Sequence, residues 1–161
     1  MGDMNGENIS PLNTAQSLPH VRVAAGIIFH QDRILIGKRF RHSFMGGIWE
    51  FPGGKQEPGE TLEECLKREI QEELDIEVVV GPLLTVAEHT YPHFRIILYA
   101  FLCNFLHGEP KPRGVADFRW VTFPDLFSYT FPPADLKILS TLKTYYPTLS
   151  LFNTAISPER Q

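Results

Sequence analysis

The stretch GGKQEPGETLEECLKREIQEELDI, residues Gly53 to Ile76, decides how the rest of the chain is read. A glycine turn leads into a segment that crowds glutamates onto one side of an expected helix. Glu69, Glu72 and Glu73 stand at i, i+3 and i+4, so their carboxylates share a helical face and repel by roughly 0.2–0.5 kcal/mol per pair. Stability alone does not select such a face. A hard divalent cation removes the repulsion, because Mg2+ or Mn2+ takes oxygen ligands and keeps waters for a substrate phosphate or for attack. A Glu-rich helix is also a common form of solvated surface. The fixed offsets of the whole set, joined to a glycine loop and an apolar stripe, favour the metal site.

The helix start is legible. Thr61 as N-cap and Glu64 three residues on form a capping box, which satisfies backbone donors that the first turn leaves open. Leu62, Leu66, Ile70 and Leu74 recur every fourth residue and give the helix a stripe to bury, leaving the glutamates on one flank. Ahead of it, Pro52-Gly53-Gly54 and Pro58-Gly59 read as a tight loop, where glycine lets a backbone carbonyl approach an ion.

Gly54, five residues, Glu60, seven residues, then Arg68-Glu69-Ile70-Gln71-Glu72-Glu73 resembles the signature box of the Nudix hydrolases. Glu50-Phe51-Pro52-Gly53-Gly54-Lys55 and Phe131-Pro132-Pro133-Ala134 resemble the MutT-type nucleoside triphosphate pyrophosphohydrolases within that superfamily, and the likeness runs from about Val21 to Leu142. Two positions depart from the pattern. Asp75 stands where the family has a glycine, at a place where a left-handed cap is often wanted, so a slightly altered helix end is expected with no loss of ligands. Gly114 stands where many relatives carry a further glutamate, which puts a loop-borne ligand or base in doubt; Asp117 substitutes only if the loop shifts.

The resemblance implies an α+β chain with the Nudix fold, a mixed β-sheet sandwiched between α-helices. It implies metal ligation by Glu69, Glu72, Glu73 and the carbonyl of Gly53, with Arg68 orienting the carboxylates and Glu60 supporting the loop; Glu69 is the first choice for general base. Arg39, Phe51, Gly54 and Lys55 fall at substrate-binding positions, and Asp135 matches an amide or acid that reads the base.

A chain of 161 residues with 43% hydrophobic content suits one domain with a sizeable core. Its formal net charge of −4 offers no general attraction to nucleic acid polymers or anionic membranes. Cys65 and Cys103 have neither metal-type spacing nor a disulfide framework, which fits a reducing cytoplasm and two inert thiols. Residues 1–18 are polar, without the apolar run of a signal peptide, and read as a flexible tail. Residues 19–150 are expected to form the hydrolase domain and 151–161 a C-terminal tail.

Val21 to Phe29 and Ile34 to Ile36 read as strands joined by a turn, and Glu77 to Val86, Ile96 to Phe105 and Phe118 to Val121 as further strands. Phe123 to Phe127 is a short helical turn and Pro133 to Tyr145 a terminal helix. Lys38 and Arg39 emerge near the metal loop, as surface charge or as cations that meet phosphate or a base edge; the resemblance tilts Arg39 toward substrate. Trp49 is assigned to the core. His89, Tyr91, His93 and Arg95 are read as surface and receive no catalytic role. Asp135 either favours the positive end of its helix, worth about 0.3–1 kcal/mol, or reads a base; ionised, it only accepts hydrogen bonds and so suits guanine's paired donors.

The function expected is Mg2+-dependent hydrolysis of a nucleoside triphosphate to monophosphate and pyrophosphate, with 8-oxo-dGTP favoured over CTP or modified dCTP and a role in sanitising the nucleotide pool. The alternatives are a nucleoside diphosphate derivative as substrate, or a nucleotide-binding module without turnover. The partner expected is the nucleotide, with no nucleic acid polymer and no membrane, in a monomer or weak homodimer.

Overall fold

The computed structural model describes residues 18–156, with side chains described as far as residue 149. Its frame is a mixed sheet built on β1 (His20–His30). This strand pairs in parallel with β6 (Arg95–Gly108) and antiparallel with β2 (Arg33–Lys38) and β4 (Gly53–Lys55). β3 (Trp49–Glu50) and β7 (Asp117–Thr122) both pair with β2, and β5 (Ile76–Thr90) closes the far side against β6. β1 is apolar on both faces and is covered on both. Ala25, Ile27 and Phe29 join a core under α3 (Pro133–Ile156), with Ile138, Leu139 and Leu142. Ala24 and Ile28 join a second core under α1 (Leu62–Leu74), with Leu66, Ile70 and Leu74. The sheet therefore lies between helices, as expected.

α1 starts with the capping box: Thr61 Oγ1 accepts from the Glu64 N–H at 3.1 Å, and Glu64 Oε2 accepts from the Thr61 N–H at 3.0 Å. Its end corrects an expectation. Asp75 adopts the left-handed conformation, φ 59° and ψ 37°, so the helix closes as it would on glycine. The Gln71 side-chain amide donates to Asp75 Oδ1 at 2.9 Å and Arg113 pairs with Oδ2 at 3.1 Å, which offsets the cost of the conformation.

Other boundaries move. Gly53–Lys55 is a short strand, in which Gly53 and Gly54 lie opposite Ala25 and Ala24 of β1. β5 and β6 extend past their expected ends on both sides, making a long hairpin whose tip is Tyr91 to Phe94. α2 (Phe123–Leu126) is the expected short turn, capped by Thr122. α3 continues past Tyr145 to Ile156, carrying Pro147 within it. Of the tail expected at residues 1–18, residues 1–17 lie outside the described residues, as do 157–161. No helix among the described residues is long and apolar enough to cross a membrane.

Candidate active site

A cavity of about 510 Å³ opens between β1, β4, the β5–β6 hairpin and the start of α3. Of the residues singled out in the sequence, Arg39, Phe51, Gly53, Gly54, Lys55, Glu73 and Asp135 line it. Glu60, Arg68, Glu69 and Glu72 stand beside it on α1 and its leading loop.

Arg68 ties that group together. Its guanidinium donates to Glu60 at 2.7 and 3.1 Å, to Glu69 Oε1 at 2.9 Å and to Glu72 Oε2 at 3.2 Å, with a further bond to the Lys55 carbonyl at 3.2 Å. The Glu57 N–H donates to Glu60 as well, at 2.7 Å. The Arg68 hydrogen bonds and the Glu57 N–H hold the Glu60 carboxyl down at about 2. Glu60 thus locks the loop to the helix and stays charged.

Glu73 is the contrasting carboxylate. It turns away from Arg68 toward the Gly53 N–H, and its Oε2 is buried with no hydrogen-bond partner. Burial, then the negative charges of Glu50 and Glu69, push it up to about 9. Burial likewise raises Glu69 above the ordinary carboxylate range, with Arg68 pulling in the opposite direction. Glu69 packs so closely on the glycine strand that a Cβ at Gly54 would lie 2.2 Å from its carboxyl carbon. A side chain there would displace the Glu69 carboxylate.

Among the described residues, no three His, Cys, Asp or Glu side chains stand converged on one point for a metal. Arg68 holds Glu69 and Glu72 apart from Glu73. The donor set nonetheless fits a hard divalent cation: oxygen ligands only, one of them orphaned and buried, under mutual repulsion that a cation relieves. Glu72 is the most exposed member, at 59% of its side chain.

The opposite wall carries Arg39, Glu50 and Asp135. Arg39 pairs with Glu50 at 2.7 Å and donates through Nε to the Phe44 carbonyl at 2.9 Å. Lys38 lies over Trp49 instead, 5.9 Å from the ring centroid, and Trp49 is buried in the core as expected. Asp135 does reach the cavity, with Oδ1 accepting from the Phe51 N–H at 3.2 Å. Its state departs from expectation: burial first, then the Glu50 charge, pushes it up to about 8. Burial thus favours its neutral form, which can donate as well as accept.

Three contributors went unseen in the sequence. Glu50 lines the cavity beside Phe51, at the end of β3, where it pairs with Arg39. Tyr91 and Phe94, at the hairpin tip, also line it, contrary to the surface reading of that segment. Burial and the Asp135 charge raise the Tyr91 phenol, while Arg39 opposes them. His89 only packs edge-on against Tyr91, at 4.7 Å. Gly114 lies against Glu73, where an added Cβ would meet its Cγ at 3.0 Å, and the Gly114 N–H donates to the Glu73 carbonyl. Asp117 does not substitute; its carboxylate accepts from the Phe118 N–H and pairs with Arg119. Both cysteines are buried, and burial pushes Cys65 to about 11 and Cys103 to about 12.

Comparison with known proteins gives the same site a lineage. The NUDIX domain model matches residues 23–141. The 8-oxo-dGTP diphosphatase of Haemophilus influenzae is 36% identical over 123 residues, 76% of this chain and 90% of that protein. The CTP pyrophosphohydrolase of Escherichia coli is 33% identical over 119 residues, 74% of this chain and 88% of that one. The solution structure of the E. coli ORF135 protein superposes with a TM-score of 0.72 at 31% identity, covering 81% of this chain and 94% of that one. With its box residues gathered around one cavity and these relatives spanning three quarters of its length, the chain belongs to the NUDIX family of phosphoanhydride hydrolases.

Proposed function

We propose that the protein is a Mg2+-dependent nucleoside triphosphate pyrophosphohydrolase that converts a (d)NTP and water to (d)NMP and pyrophosphate. The observation that carries this reading is the cavity itself, which joins the carboxylates around Gly53-Gly54 to an apolar slot ending at the buried Asp135. Glu69, Glu72, Glu73 and the Gly53 carbonyl would hold the divalent cation that the family generally uses. Bound there, Mg2+ would neutralise phosphate charge and make water a better nucleophile.

The remaining work belongs to the chain. Glu69 Oε2, the oxygen not engaged by Arg68, takes the proton of the attacking water. Arg68 and Glu60 are positioning residues: they hold the loop and the carboxylates in register without touching substrate. Lys55 and Arg39 offer cations to the phosphates, and Phe51 forms the apolar floor of the slot. Asp135 reads the base.

The preferred substrate is 8-oxo-dGTP, in line with the names of several relatives. The burial of Asp135 gives a second reading real support, since a protonated acid presents a donor beside an acceptor and so also matches the cytosine edge; a CTP pyrophosphohydrolase is among the relatives. Two features support a soluble cytoplasmic protein, monomeric or weakly dimeric, acting on free nucleotides: the net charge of −4 and buried thiols without a disulfide. Residues 19–150 form its catalytic domain. The test is a panel of kcat/KM values for 8-oxo-dGTP, dGTP, CTP, dCTP and 5-substituted dCTP, read as pyrophosphate release. Binding of these nucleotides without release at high enzyme concentration would replace the hydrolase with a nucleotide-binding module.

A further inference from the structure

In the cavity wall, the segment between β2 and β3 meets the β5–β6 hairpin through a single side-chain hydrogen bond among the described residues. The Tyr91 hydroxyl donates to Met45 Sδ at 3.5 Å, its one hydrogen-bond partner among the described residues. Thioether sulfur is a weak acceptor. The contact is nevertheless held in place from both sides. Met45 adopts a left-handed backbone, φ 53°, a conformation uncommon for residues with a Cβ. The Tyr91 ring is wedged edge-on by Phe44 at 5.1 Å, and packed by Phe94 at 4.9 Å and His89 at 4.7 Å. These three rings orient the Tyr91 ring, and the hydroxyl proton turns about its C–O bond.

Tyr91 and Met45 line the same cavity as Asp135. A fixed hydroxyl in a largely apolar wall, engaged with a poor acceptor, will turn to a better one that enters. A nucleobase carbonyl oxygen is such an acceptor, and guanine-type and cytosine bases carry one on the edge that also bears the groups Asp135 can engage. Adenine carries none. We propose that the Tyr91 hydroxyl is a specificity-determining donor, parked on the Met45 sulfur in the free protein and transferred to a carbonyl oxygen of the nucleobase on binding. The site then selects oxo-bearing bases by a donor from the hairpin and a reader from α3. This rests on the nucleotide hydrolase reading above. A site built to donate to an oxygen discriminates against a base that lacks it, because the donor is left with only its weak partner.

The test compares wild type, Tyr91→Phe and Met45→Leu on 8-oxo-dGTP, dCTP and dATP. Tyr91→Phe keeps the ring packing and removes only the donor. It is expected to raise KM for the better oxo-base nucleotide about tenfold, with a smaller change in kcat and little change for dATP, so that discrimination against adenine falls about tenfold. Met45→Leu removes the rival acceptor and is expected to lower KM. Calorimetric Kd values for 8-oxo-dGMP, dCMP and dAMP carry the same comparison without turnover, and thermal unfolding without nucleotide checks that each variant folds. An unchanged oxo-to-adenine ratio in Tyr91→Phe would overturn the proposal. So would a Met45→Leu variant that loses affinity as Tyr91→Phe does, since the contact would then be a structural latch. If wild type releases no pyrophosphate, the hydrolase reading fails, and the monophosphate Kd ratios still decide the role of Tyr91.

Discussion

Replacing Asp135 with asparagine is expected to make the protein more stable, by an amount that grows with pH. The residue is 6% exposed and its carboxyl accepts one hydrogen bond from the Phe51 N–H at 3.2 Å, while burial first, then the Glu50 charge, opposes its ionisation. Its folded value of about 8 lies above the ordinary 3.8. A carboxyl raised in this way contributes its full stability below the unfolded value and loses it as pH climbs toward the folded one. Each pH unit in that window costs about 1.4 kcal/mol, so a rigid site would lose about 4 kcal/mol by pH 7; relaxation and water in the cavity wall reduce this to about 2–3 kcal/mol. Asparagine keeps the acceptor for Phe51 and carries no charge. Thermal unfolding of both proteins between pH 4 and pH 9, without metal or nucleotide, should show nearly equal midpoints near pH 4. By pH 8 the variant should lead by roughly 4–12 °C. A difference that is independent of pH, or a variant less stable at pH 8, would refute the argument that burial holds this acid in its neutral form. The same variant reports on reading of the base: selectivity among the nucleotides should shift, because the amide cannot follow pH.

Glu73→Gln and Glu72→Gln should each remove most pyrophosphate release while leaving the fold intact, and near-normal release by both in Mg2+ would sink the metal assignment. Glu73→Gln should raise the metal-free midpoint more than Glu72→Gln, because burial first, then Glu50 and Glu69, oppose ionisation of Glu73, whereas Glu72 is exposed and shares the Arg68 guanidinium. Gly114→Ala places a methyl 3.0 Å from Glu73 Cγ, so we expect about 1–3 kcal/mol of destabilisation and a lower kcat; calorimetry and steady-state kinetics check both. Chelation with EDTA should abolish pyrophosphate release and added Mg2+ restore it, with Mn2+ as a substitute; turnover that persists in EDTA would show that the carboxylates work without a cation.

What the sequence determined by itself is local in origin. A capping box, a four-residue apolar repeat and glutamates at i, i+3 and i+4 all act within one helix, where neighbours in sequence are neighbours in space, so α1 and its acidic face could be read directly. The strands β1, β2, β6 and β7 followed from apolar and aromatic runs for the same reason. The tertiary structure decided the rest, because it depends on distant segments meeting. The Phe51 N–H reaches Asp135 across 84 residues, and only that meeting buries the carboxyl and changes its protonation. Arg68 draws Glu69 and Glu72 to itself while Glu73 turns to the glycine strand, a division that equal spacing on a helix does not contain. Tyr91 looks like a hairpin surface residue until the β5–β6 register carries it 46 residues back to Met45. Whether a side chain is surface or cavity wall there is set by what packs over it, and that information is spread across the whole sheet.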